Sequence, residues 1–208
     1  MITFKSQHKG IKDNIVISGI HIKTYKAREV DYHKTLRAGS EVLDKLGATY
    51  YISAGTALGF IRDGDFIPHD GDIDVEIVNS YSTPINYVNL IKAFEISGFS
   101  IIRTVFDGNF PHQLSFIDKQ SAIFDIWFVY GDVDDGFFIT FTEYGKMKTP
   151  AHFIENISRE DLVIGGKEYS LPMPLPYEEY CECRYGKDWN TPKTSKDPWQ
   201  EDAGNLEK

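Results

Sequence analysis

Between Gly55 and Val78 the chain reads GTALGFIRDGDFIPHDGDIDVEIV, and Asp63, Asp65, Asp70, Asp72, Asp74 and Glu76 all fall within it. In an extended segment, side chains at i and i+2 share a face. Asp72, Asp74 and Glu76 therefore line one side of DIDVEIV, and Ile73, Val75 and Ile77 line the other. The apolar side belongs to the core. Carboxylates about 7 Å apart along a strand repel where water is scarce, and a divalent cation between them removes the repulsion. Asp72 and Asp74 are accordingly expected to be metal ligands. A further carboxylate, Asp125, interrupts the apolar run AIFDIWFVY, where an ionised group requires a cation, a cluster of donors or a metal. Two readings stand open. If this run lies beside the Asp72 strand, Asp125 completes a three-carboxylate site for Mg2+ or Mn2+; if not, it pairs with a lysine or caps a backbone amide.

Other chemistries fail on spacing. Asp70, Asp72 and Asp74 occupy positions 1, 3 and 5 of a calcium loop, but Val75 stands where the turn needs Gly and Tyr81 where the bidentate Glu belongs. Neither a P-loop nor a dinucleotide-binding glycine fingerprint is present in the sequence. Any bound phosphate must then be held by metal, backbone amides and arginine. Gly55 and Thr56, before the short helical run TALGFIR, are placed to offer amides at a positive helix end, and Arg62 a bidentate charge. His69 reads either as an acid or base or as a loop histidine bonded to a neighbouring carboxylate.

These residues need elements to position them. Apolar spacing predicts a helix over Lys26 to Leu46 that stops at Gly47, followed by ATYYISAG as a strand ending in Gly55. A second long helix is expected with Thr83 as N-cap, Pro84 at its first position and Gly98 as its stop. FSIIRTVF, HQLSFID, AIFDIWFVY and FFITFTEY read as strands, which implies a mostly antiparallel second half. LVIGGKEYSL reads as a hairpin turning at Gly165 and Gly166, and a last helix is expected from Pro176 to Tyr185. The whole is expected to be one domain over 1–200 with a loose tail at 201–208.

Composition narrows the partners. With 208 residues and a net charge of −9, the chain lacks the clustered Lys and Arg that nucleic acid or anionic lipid demands, so no nucleic-acid partner is expected. The apolar stretch Ile15 to Ile22 is broken by Ser18, Gly19 and His21, and reads as neither a signal segment nor a membrane span. Cys181 and Cys183 are too close together to staple a fold and too few for a zinc site. Free thiols and a cytoplasmic location are expected.

The stretch from Gly55, with Gly-Thr, Leu-Gly, Arg, Ile-Pro and then Asp-x-Asp-hydrophobic-Glu, resembles the signature of the LicD and fukutin-type transferases of the nucleotidyltransferase-fold superfamily. FDIWFV resembles that family's later carboxylate-bearing strand, and LPMPLPYEEYCECRYGKDWNTP its C-terminal segment, so the resemblance spans roughly Tyr50 to Pro192. His69 stands where relatives usually show Trp, and Gly71 where Asp or Tyr is frequent.

The resemblance implies an α/β (α+β) fold, a nucleotidyltransferase-like mixed β-sheet with flanking helices, on which Asp72, Asp74 and Asp125 bind Mg2+ (or Mn2+). It implies transfer of a phosphocholine- or ribitol-phosphate-like group from a CDP-linked donor to a sugar or glycan hydroxyl, with release of CMP. In that reading Asp125 or Asp70 receives the acceptor proton, Arg62 contacts the donor phosphates, and Gly55, Thr56, His69 and Tyr185 line the substrate site. Lys146, Lys148, Arg184 and Lys187 are secondary phosphate candidates or solvated surface charges. Two alternatives accompany it: nucleotidyl transfer to a small hydroxyl compound, and a non-catalytic binding protein.

Overall fold

Two strands with opposite tasks on their two faces organise the molecule. β3 (Asp72–Asn79) and β6 (Ile123–Tyr130) run parallel, with Asp74 opposite Asp125 and Val75 opposite Ile126. The computed structural model to which they belong describes residues 15–19, 30–79, 84–119, 122–142, 144–193 and 205–207. One face of the pair carries Ile73, Val75, Ile77, Phe124, Ile126 and Phe128, all fully buried. The other carries Asp72, Asp74, Glu76, Asp125 and Trp127.

Among the described residues, nine strands form the main sheet. β2 (Tyr50–Ile52) pairs antiparallel with β3. On the far edge of β6, β5 (Phe110–Ile117), β4 (Ser100–Asp107) and β1 (Ile15–Gly19) follow in antiparallel succession. β7 (Phe137–Thr142) pairs with the end of β6, and β8 (Gly145–Pro150) with β7. A separate hairpin of β9 (Ser158–Ile164) and β10 (Lys167–Met173) turns at Gly165 and Gly166, both at positive φ, as the glycine pair predicts. The expected mixed sheet with flanking helices is what the chain builds.

Helices α1 (Tyr32–Lys45) and α3 (Tyr87–Ile96) cover the apolar face. Phe94 of α3 stacks on Phe116 of β5 at 4.4 Å between ring centroids. Gly39 lets α1 approach so closely that an added Cβ would lie 2.3 Å from the Phe124 ring. Replacing Gly39 by Ala sets a helix-propensity gain of about 1 kcal/mol against an overpacking cost of about 1–3 kcal/mol. The packing term dominates because Phe124 is fully buried. Urea unfolding of Gly39→Ala should therefore show a net loss of about 1 kcal/mol, whereas a gain would mean that the ring yields freely.

The helix boundaries differ from the periodicity reading. α1 begins at Tyr32, because the side chain of Asp31 accepts the Lys34 amide and caps the helix there; residues 26–29 lie outside the described residues. α3 is capped by Asn86, which accepts the Val88 and Asn89 amides, and Pro84 is not helical; Thr83 lies outside the described residues. The strand expected to end at Gly55 ends at Ile52, and α2 (Ala54–Arg62) takes Gly55 and Thr56 into its first turn. The chain turns at Ala54, whose φ of 46° is left-handed, and is clamped by two bonds to Asp74.

β8 and the short α4 (Ala151–Glu155) carry no signal that the sequence reading used. α5 (Tyr177–Tyr185) forms as expected, with Pro176 just before it. Within 201–208, expected to be loose, Leu206 and Glu207 form β11 against β8, and Glu207 pairs with Lys148 at 2.7 Å. Among the described residues no helix is long and apolar enough to cross a membrane.

Candidate active site

Backbone bonds place the acidic pair before any side chain acts. The Asp74 amide donates to the Thr56 hydroxyl at 2.9 Å, and the Ser53 amide donates to the Asp74 carbonyl at 3.1 Å. The start of α2 and the acidic strand are thus one unit. The loop after α2 returns Asp70 to the same place, where Tyr32 donates to its carbonyl at 3.3 Å. Asp70 Oδ2 lies so near the α2 backbone that a Cβ on Gly55 would sit 2.1 Å from it. Only glycine leaves room there for the carboxylate.

Asp70, Asp72 and Asp74 each offer an oxygen within 4.8 Å of the other two. Asp125, directly across the parallel pairing from Asp74, adds a fourth carboxylate. It is 6% exposed; its Oδ2 accepts from Gln113 Nε2 at 2.8 Å, and its Oδ1 has no hydrogen-bond partner among the described residues. Trp127 Nε1 donates to Asp74 Oδ1 at 3.1 Å. An all-oxygen cluster with one buried, unsatisfied carboxylate oxygen beside it fits a hard divalent cation, and the Asp70, Asp72 and Asp74 cluster is able to coordinate one.

The electrostatics agree. Burial, then the charge of Asp70, pushes Asp72 up to about 7. Burial, then Asp72, pushes Asp125 up to about 7, with Ser115, Arg103 and Gln113 acting in the opposite sense. Burial and its three acidic neighbours drive Asp74 well above the usual carboxylate range, and burial raises Asp70.

A carboxylate raised in the native state binds more protons there than in the unfolded chain between about pH 4 and 7. The cluster therefore destabilises the metal-free fold progressively as pH rises through that window. A bound cation reverses this term. The increase in Tm from EDTA to saturating Mn2+ should widen between pH 5.5 and 7.5, and the difference cancels titrations remote from the site. A constant increase would mean that these groups do not hold the ion.

The remaining expected residues fall at different distances from the cluster. Tyr185 is near enough for the charges of Asp74 and Asp70 to add to the upward push of burial on its hydroxyl. Arg62, at the far end of α2, is held bidentately by Asp63 at 2.8 and 2.7 Å. His69 is exposed on the loop before β3. Arg184 is neither a phosphate candidate at the surface nor a solvated charge: it is buried against Glu76 at 2.9 Å. Gln113 and Trp127 were not singled out from the sequence. Their signal was polar alternation, since Gln113 and Ser115, like Asp125 and Trp127, are i and i+2 on strands.

A helix clamped to an acidic strand, with a second strand carrying a carboxylate in parallel register, defines a nucleotidyltransferase-like domain. The chain belongs to the LicD/FKTN/FKRP nucleotidyltransferase domain family, whose pattern it matches over residues 47–173. It is 27% identical over 175 residues to "Ribitol-5-phosphate transferase FKTN" of Macaca fascicularis, and 26% identical over 175 residues to the Homo sapiens protein of that name. In both cases the match takes in 83% of this chain and 36% of the relative, so the chain spans about a third of their length. Among solved structures, the lincomycin-bound crystal structure of lincosamide antibiotic adenylyltransferase LnuA aligns with a TM-score of 0.46 and 14% identity, over 71% of this chain and 82% of that one.

Proposed function

We propose that the chain is a metal-dependent transferase that moves a phospho-alcohol from a CDP-linked donor to a sugar or glycan hydroxyl and releases CMP. The observation that carries this reading is the convergence of Asp70, Asp72 and Asp74 beside the buried, unsatisfied Asp125 Oδ1. Membership of a family that includes ribitol-5-phosphate transferases supports the class of group transferred. Free thiols at Cys181 and Cys183 are in keeping with a cytoplasmic setting, which forms part of the proposal.

In this reading Asp72 and Asp74 would hold Mg2+ or Mn2+, with Asp125 as the third oxygen donor from the sheet floor. The ion supplies charge neutralisation for the diphosphate and for the departing nucleotide. Trp127 and Gln113 each fix one carboxylate oxygen and so aim the other. The acceptor oxygen attacks the alcohol-bearing phosphorus in line, the bond from that phosphorus to the CMP oxygen breaks, and CMP leaves with the bonding pair. Asp70, half-buried at the rim where an acceptor can reach, takes the hydroxyl proton. Tyr185 and the first turn of α2, with Gly55 and Thr56, border the donor, and His69 borders the acceptor side.

Isothermal titration with CDP-choline, CDP-ribitol, CDP-glycerol and CTP, each with and without Mg2+, tests the reading. Metal-dependent binding of one CDP-alcohol in preference to CTP supports it and names the donor. Binding of CTP alone transfers the assignment to nucleotidyl transfer, and binding of none of the four removes the catalytic reading.

A further inference from the structure

Four strands lie side by side across the floor of the site, and their registers align one residue from each. Asp74 on β3 is opposite Asp125 on β6, Asp125 is opposite Ser115 on β5, and Ser115 is opposite Arg103 on β4. Residues opposed in this way share a face of the sheet, so Arg103 stands on the carboxylate face, two strand spacings or about 10 Å at the backbone from Asp125.

A local irregularity puts it there. Ile101 is opposite Phe116, so an unbroken ladder would set Ile102 opposite Ser115; the register shifts between Ile101 and Arg103, and Arg103 takes that place. A bulge inserts one residue, bends the strand and re-aims a side chain. Here it delivers a guanidinium to a face otherwise defined by acids.

Arg103 differs from the other described arginines. Arg62 is held by Asp63, Arg159 by Asp44, Arg184 by Glu76, and Arg37 donates to the Glu168 carbonyl. For half-buried Arg103, no acceptor within hydrogen-bonding or ion-pairing distance is found among the described residues, although its charge reaches Asp72 and Asp125 and favours their ionised forms. A planar fork of donors without an acceptor, facing a site able to hold a cation, matches an anion that bridges the two.

We infer that Arg103 is the phosphate-binding residue of this site and grips the diphosphate of the donor bidentately, on the flank of the carboxylates opposite α2 and Arg62. The identity of the donor rests on the transferase reading; the anion site itself does not.

The test uses inorganic pyrophosphate as probe, titrated into the full chain with saturating Mn2+, alongside Mn2+ alone and the CDP-alcohols. Arg103→Gln should weaken pyrophosphate binding by about 10- to 100-fold, the loss expected for hydrogen bonds to a charged partner. Mn2+ affinity should stay the same or tighten, because a positive neighbour has gone. Arg103→Lys should recover only part of the loss, since it restores charge without the fork. Arg62→Gln should leave pyrophosphate affinity within about twofold of wild type, because Asp63 already occupies that guanidinium.

Wild-type pyrophosphate affinity in Arg103→Gln, or no pyrophosphate binding by the wild-type chain with Mn2+, overturns the inference. If Arg103→Gln loses cooperative unfolding in EDTA, Arg103→Lys decides: a several-fold loss with unchanged Mn2+ binding supports the role, and an unchanged affinity refutes it. Pyrophosphate binding that depends on Arg103 without binding of any CDP-alcohol leaves the inference standing and removes the transferase reading. CDP-alcohol binding indifferent to Arg103→Gln does the reverse.

Discussion

Asp74→Asn should abolish metal-dependent turnover, by ~10³-fold or more, while leaving the metal-free fold at least as stable as wild type at pH 7.5. Both halves follow from one fact. Asp74 is the member of the cluster pressed by Asp72, Asp125 and Asp70 together, so its charge is costly to the empty fold and, in the proposed site, would be a principal ligand charge for the cation. Asparagine keeps the shape, and its amide oxygen can still accept from Trp127 Nε1, so the strand and its clamp to Thr56 survive. The variant should show no rise in Tm on adding Mn2+, against a clear rise for wild type. Wild-type turnover in Asp74→Asn would remove the site assignment outright; a large drop in metal-free Tm would show that Asp74 serves the fold.

Arg184→Met should cost about 3–5 kcal/mol of unfolding free energy, the largest single-site loss expected in the chain. Glu76 is fully buried two residues beyond Asp74, where it accepts from Arg184 Nη1 at 2.9 Å and from the Tyr51 hydroxyl. Arg184 also donates to Tyr180 at 3.3 Å, so this cluster is the polar anchor of α5 on the carboxylate face. Removing the cation strands a buried carboxylate, and the cost is that of an uncompensated charge rather than of a lost contact. The double variant Glu76→Leu with Arg184→Met removes both charges and should be markedly less destabilised than Arg184→Met alone. Urea unfolding of the two variants checks this. Equal losses in both would mean that shape, not charge, is what the pair contributes.

The two results also separate neighbouring carboxylates on one strand face. Asp74 and Glu76 are indistinguishable by alternation, since both are acidic and both are turned from the core. Asp74 faces the carboxylate cluster and Glu76 holds a helix, and the difference is set by what reaches each: Trp127 and Asp125 for the first, Arg184 and Tyr51 for the second. The reading of Arg184 as a surface charge failed for this reason. Its partner is 108 residues away in sequence, and the helix that carries it has no apolar stripe to announce its inward side.

The sequence by itself determined the acidic strand, its two-faced alternation, the placing of Asp72 and Asp74 on one side of it, the glycine hairpin and the family. All of these are written in local spacing, because the two-residue period of a strand and the chemistry of adjacent carboxylates do not depend on distant partners. Only the tertiary structure decided that Asp125 stands opposite Asp74, that Asp70 returns to the cluster over Gly55, that Gln113 and Trp127 hold the carboxylates, and that a bulge turns Arg103 toward them. Strand pairing is chosen by the burial of whole faces against α1 and α3, and a shift of one residue exchanges every side chain between core and site. A segment of sequence records which face is apolar; which residue of another strand lies opposite is settled only when both are packed.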